Sequence, residues 1–410
     1  MEKRKKKPAT INENPGGGSD TLDFSAVTTD LTLNLRGIST DGNNTVTHLA
    51  NTINGIVGGS GNDLLNFHRA YGGALELGDG VLTWDGTAVT HSGVEGIDVS
   101  FVTDEGLRTG AVQIVADQDY TGLDLYIEAA AIAVEASVNA GGLSLQSDSI
   151  LAVEQNLTAA NGLGRILTLN ADRMRLASTG GVGDVALPIF INAGVIEART
   201  EGAAGIYIAH IGDSTISDVN FSVADLETEG LETGSGGDIN FINLFGTMTV
   251  DAEVQASGGQ VILTAEAIDV NATISSRKVV DSQTFRGSLI IQPLSLNTDI
   301  NLATATGSGL HLNATEISYF MSGFNESAPS AYFTNDQLVV VDSKNGITIG
   351  RSDGRHDFTL DTFTYSESFT FRAPKPFGDF NVIGKIELIN SQVDGDNPAL
   401  TFFGWDTLNF

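Results

Sequence analysis

The residues best suited to chemistry lie between Gly58 and Phe67, in the stretch "GGSGNDLLNF". Its residues fit the pattern G-G-x-G-x-D-x-U-x at every defined position: Gly58, Gly59, Gly61, Asp63 and Leu65. Glycines at this spacing let the backbone bend until its carbonyl oxygens converge, and the aspartate adds a carboxylate. Such hard oxygens are what calcium takes, about six to eight at a time. The leucine then fills the interior behind the turn. A partial copy lies upstream in "PGGGSDTLD", where Gly16, Gly18, Asp20 and Leu22 occupy matching positions and Pro15 replaces the first glycine. The candidate metal ligands are therefore Gly59, Gly61 and Asp63 with Gly16, Gly18 and Asp20, and the candidate cofactor is Ca2+. The same glycines also suit a tight turn that holds no ion, and the residues alone leave both readings open.

The remaining polar residues give less. "GRSDGRHDF" is the densest polar cluster, and its Arg351, Asp353, Arg355, His356 and Asp357 would line a groove if the chain were a carbohydrate-active enzyme. The competing reading is a solvated turn between two strands. No paired carboxylates recur with a base beside them. His48, His68, His91, His210 and His311 stand apart in the sequence, without H-x-x-x-H or H-E-x-x-H spacing, and are expected at the surface or in turns. "STGGVGDV" is not followed by a helical pattern, so it reads as a turn and not as a phosphate cradle. There is no G-x-S-x-G motif and no P-loop. No enzymatic activity is expected.

These residues must be positioned by strands. The 410 residues include 48 glycines and only 8 prolines, which suits many short strands joined by tight turns. Cysteine is absent, which removes disulfides and thiolate chemistry. The formal net charge of −30 argues against a nucleic-acid partner and against an anionic membrane surface. No apolar run reaches the roughly 20 residues that span a bilayer. "MEKRKKKPATINENPGGG" is basic but lacks an apolar segment behind it, so residues 1–14 are expected to form a disordered arm, not a signal peptide.

From about Val112 onward, apolar and polar residues alternate with period two, between turns such as "NAGG", "GSGG" and "ASGG". In "VILTAEAIDVNATIS", Val261, Leu263 and Ala265 alternate with Ile262, Thr264 and Glu266. The alanine-rich "YIEAAAIAVEASV" is read as strand despite alanine's helix propensity, because the period-two pattern continues on both sides. The pattern recurs about every 20–30 residues, which predicts an all-β solenoid whose units bury their inward faces on one another. Asn170, Asn192 and Asn271 are expected in turns, stacked as ladders. The expected division is a calcium-binding β-roll-like unit at 15–67, transitional β coils at 68–118, solenoid at 119–350 and Phe-rich terminal coils at 351–410. The apolar ending "LTFFGWDTLNF" reads as part of a larger chain.

The block at 15–67, with its "DTLDFS", "LTLNL" and "GGSGND" elements, resembles the calcium-repeat units of repeats-in-toxin proteins in giant secreted bacterial chains. Residues 120–360, including "LTLNADRMRLASTGG", "GIYIAHIGDSTI", "ASGGQVILTAEAIDVNATISS" and "LVVVDSKNGITIGRSDG", are similar to filamentous-haemagglutinin-like surface adhesins of Gram-negative bacteria. These resemblances imply a right-handed parallel β-helix preceded by a short β-roll-like unit. They imply a secreted or cell-surface location, a structural and adhesive role stabilised by calcium, and a host or neighbouring-cell surface, glycans included, as partner. The alternative within the same architecture is a polysaccharide lyase or hydrolase.

Overall fold

The computed structural model describes residues 9–11, 20–35, 37–40, 45–48, 53–69, 73–78, 80–94, 96–152, 168–219, 221, 230–234, 236–280, 283–321, 331–334, 337–340, 344–365, 369–372, 379–382, 386–388, 400–403 and 407–409. The candidates Gly16 and Gly18 lie outside them, as does most of the 1–14 arm. The described chain is built of β-strands, with Ala314–Met321 the single helix among the described residues. That helix is too short to cross a membrane. The chain divides into two compact units, 1–172 and 173–410.

In the first unit, strands Thr32–Asn34, Leu64–His68, Gly96–Ser100, Gln118–Glu128 and Val138–Ser147 lie side by side in parallel. Their register sets Leu33, Leu65, Ile97, Leu125 and Leu143 in one row, and all five are buried. Period-two alternation is what makes this work: every second residue of every strand points to the same interior. A second group runs Ala74–Gly78, Ala111–Ile114, Ala131–Val134 and Ser149–Ala152, again parallel. The alanine-rich stretch is thus strand, with Ile132 and Val134 buried and Ala131 exposed. Two antiparallel turns join Ala74–Gly78 to Val81–Trp84 and on to Thr87–Ser92.

In the second unit the pairing has a constant rule over residues 206–275. Each strand pairs in parallel with the third strand after it. Ile206–His210 takes Ile239–Asn243 and then Val261–Thr264; Ser214–Ile216 takes Thr247–Val250 and then Ala267–Val270; Leu231–Thr233 takes Val254–Ala256 and then Ile274–Ser275. The first ladder goes on through Gln283–Gln292, Lys344–Ile349, Phe369–Arg372 and Leu400–Phe403. One row in it reads Ile208, Phe241, Leu263, Ile291, Ile349, Phe371 and Phe402. From Ile208 to Phe371 these residues are buried, and burying each costs little strain because its neighbours have the same shape and direction.

The asparagine expectation holds in part. The Asn170 amide donates to Asn139 Oδ1 at 2.7 Å, and that of Asn271 donates to Asp251 Oδ1 at 2.9 Å. Asn170 and Asn192 sit in strands, not in turns. Two histidines also depart from the surface positions expected of them. His210 is fully buried at the end of a strand, with Nδ1 2.9 Å from Asn243 Oδ1 and Nε2 beside the N–H and C=O of Ala193. Asn243 spends its amide N–H on Phe245, so its oxygen faces the ring, and a proton on His210 Nδ1 satisfies both. His356 is buried as well.

Candidate functional site

The turn 58–63 connects strand Ile53–Val57 to strand Leu64–His68. The segment that runs beside it is 24–31, since Thr32 pairs with Leu64 and Asp23 with Val57. Glycine is required here by crowding. A Cβ on Gly59 would lie 2.2 Å from the Val27 carbonyl oxygen, and one on Gly61 would lie 2.6 Å from the backbone of Thr29. Ser60 N–H donates to that same Val27 carbonyl at 2.9 Å, so the two segments are locked together.

Asp63 is 1% exposed. Its Oδ1 accepts the Leu31 N–H at 3.0 Å, across to the neighbouring segment. Its Oδ2 accepts the Gly59 N–H at 2.5 Å, back across its own turn. The backbone of Asp63 also works: its carbonyl accepts Gly96 N–H at 3.1 Å. Both carboxylate oxygens therefore accept a backbone N–H. Among the described residues no group of three or more His, Asp or Glu gathers where it could hold a metal ion. In this arrangement Asp63 serves its turn as a hydrogen-bond acceptor; of the other candidate ligands, Gly16 and Gly18 lie outside the described residues.

Asp20 stands elsewhere. It starts the strand Asp20–Asp23, where it pairs with Ile53, and Leu22 lies beside Ile56. Leu65 instead pairs with Leu33. The two glycine–aspartate motifs are thus one strand out of step, and Asp30, not Asp20, reaches the 58–63 turn, accepting Asn62 N–H at 2.9 Å.

A different polar constellation lies on the face of the parallel strands opposite the Leu33–Leu143 row, partly buried. Asn66, Asp98, Tyr126 and Ser144 form one row and His68, Ser100, Glu128 and Gln146 the next. His68 Nε2 lies 2.8 Å from Asp98 Oδ2; the imidazole is half-exposed and the carboxylate is buried. Hydrogen bonding to Asp98, joined by the charges of Asp98 and Glu128 and opposed by burial, raises the His68 pKa above its ordinary value. Glu128 pairs with Arg108 at 3.3 Å, and Gln146 donates to the Tyr126 hydroxyl at 2.9 Å. An imidazole aligned by a carboxylate is the base half of acid–base catalysis. Here two carboxylates favour the imidazolium, and when His68 is protonated the pair is an ion bridge between strands. Sequence reading missed it because His68 and Asp98 are thirty residues apart; the signal was the i, i+2 polar pairs in "NFH", "DVS", "YIE" and "SLQ".

Of the other candidates, Arg351, Asp353 and His356 make structural contacts, while Arg355 and Asp357 are exposed. Arg351 and Asp353 form a two-bonded pair at 2.8 and 3.1 Å, and Arg351 also donates to the Leu294 carbonyl. The Arg355 backbone N–H donates to the Leu296 carbonyl at 2.7 Å. His356 Nδ1 lies 2.9 Å from the Thr298 carbonyl, and burial lowers its pKa. Trp84, a natural platform for a sugar ring, has the Arg69 guanidinium 3.4 Å above its ring centre. No family model, curated protein or solved structure matches this chain.

Proposed function

We propose that this chain is a structural segment, a right-handed parallel β-helix of the kind its resemblance to surface adhesins implies, which presents a rigid face for attachment outside the cell. The observation that carries this reading is the pairing of each strand with the third strand after it through residues 206–275. A chain wound in three-sided coils gives that rule, and few other topologies do. A stalk needs stiffness and shape, not a reactive centre, and the pairing of His68 with Asp98, Arg108 with Glu128 and Arg351 with Asp353 supports that role. On this reading the Asp63 carboxylate does within the chain what an ion does in calcium-repeat units: it ties adjacent turns.

The test is attachment without turnover. Labelled full-length chain is expected to bind cells or an array of glycans, and to leave acidic polysaccharides intact in an assay for new reducing ends or unsaturated products. Turnover that is lost in Asp353→Ala or Arg355→Ala would overturn the structural reading in favour of a carbohydrate-active enzyme.

A further inference from the structure

The first unit holds a cleft that the attachment reading does not use. It encloses about 430 Å³ of empty space, counted out to open solvent. Its floor is apolar and includes Phe67, Leu75 and Leu82, all buried. Its rim carries Arg69 and Trp84, both half-buried, and the exposed Thr87. The sheet holds that rim in place, since Trp84 pairs with Leu75 on one side and with Thr87 on the other. The Phe67 ring meets the indole edge-on at 6.0 Å, and the Arg69 guanidinium lies 3.4 Å above the indole and 5.5 Å from the Phe67 ring. Among the described residues that line the cleft Arg69 is the single charged one, in a chain with 51 acidic and 21 basic residues.

We propose that this cleft binds a short-chain aliphatic carboxylate, with its tail on the apolar floor and its head on Arg69. A concave apolar site with a few polar groups at one end is the usual form of a small-molecule pocket. The charge at the rim selects the head. Among the described residues no carboxylate lines the cleft, so an ammonium head meets the Arg69 cation and is repelled. A phosphate dianion keeps excess charge after meeting one guanidinium, and carrying that charge against an apolar wall is costly. A carboxylate spreads one charge over two oxygens, which match the parallel N–H groups of a guanidinium. Stacking on Trp84 uses the face of the Arg69 guanidinium, whose N–H groups lie in its plane, along the edge. Trp84 Nε1 is buried and has no hydrogen-bond partner among the described residues. An acceptor seated beside the ring satisfies a donor that water does not reach.

The test is a titration of Trp84 emission in the full chain carrying Trp405→Phe, at constant ionic strength, with butyrate, butan-1-ol and butylamine. The three probes share a tail and differ in the charge of the head. Butyrate is expected to give a saturable change and to bind about tenfold tighter than the alcohol or better, and the amine is expected to give none. Arg69→Met, which keeps an apolar stem over the indole and loses the charge, is expected to bring butyrate down to the level of the alcohol. Saturation transfer from the unsubstituted chain to the probe methyl groups reads the same ranking without any variant. No saturable binding of butyrate, or equal binding of butyrate and butan-1-ol, overturns the proposal. Full butyrate affinity in Arg69→Met overturns it too, because the head is then held elsewhere. Neither result bears on attachment or turnover, so the cleft and the stalk reading fail separately.

Discussion

Replacing Asp63 with alanine separates the two meanings of the glycine–aspartate turn. The carboxylate is buried and accepts two backbone N–H groups, from Leu31 and from Gly59. Alanine leaves both donors without that acceptor, the Leu31 N–H buried and the Gly59 N–H partly buried. An unsatisfied buried donor costs about 1–3 kcal/mol, so the pair costs up to about 2–6 kcal/mol. Asp63→Asn keeps one acceptor and turns an amide N–H toward the other donor, and should lose about half or more of that. The assay is denaturant unfolding followed by Trp84 emission, in a Trp405→Phe background so that the first unit alone reports. It is run once with calcium and once with chelator. The hydrogen-bond reading requires the same loss in both. The reasoning is refuted if Asp63→Ala matches the parent within about 0.5 kcal/mol in chelator and differs only when calcium is present; Asp63 is then an ion ligand.

Two further outcomes follow from contacts already described. The His68 pKa is raised in the fold, so its pairing with Asp98 adds stability that is full below the ordinary histidine value of 6.5 and is lost as pH rises through the raised one; the first unit should therefore melt lower at pH 8 than at pH 6, and Asp98→Asn should flatten that difference, whereas a slope that survives in the variant assigns it to another group. The helix Ala314–Met321 is capped by Asn313, whose Oδ1 accepts Thr315 and Glu316 N–H at 2.8 and 3.1 Å while Glu316 returns a bond to Asn313 N–H at 2.6 Å; Asn313→Ala should cost about 1 kcal/mol in denaturant unfolding of the second unit, and no measurable loss would mean the cap is redundant with packing.

The period-two pattern made the strands legible, including the alanine-rich one, because the interior is set by alternation and not by propensity. Neighbour relations were less legible. "PGGGSDTLD" and "GGSGNDLLN" look equivalent as strings, yet Leu22 stacks beside Ile56 and Leu65 beside Leu33, since strand pairing follows the whole inward row and not the motif. The His68–Asp98 bridge joins residues brought close only by register, which a linear reading has no means to supply. His210 and His356 were misplaced for a related cause: an isolated histidine looks solvated until the carbonyl or amide that satisfies it is known.

The long ladder of the second unit counts rows, not residues. Leu263 meets Ile291 after 28 positions, Ile291 meets Ile349 after 58, and Ile349 meets Phe371 after 22. Between two of these rows the chain makes the antiparallel excursion Arg277–Val280 to Gln283–Gln292 and then rejoins the stack in step. Closing a loop twice as long costs only about 0.6 kcal/mol more, so the corners of this scaffold are ports where chain can be added or removed almost freely. New recognition surfaces can therefore be acquired by insertion at a corner while every inward residue keeps its neighbours.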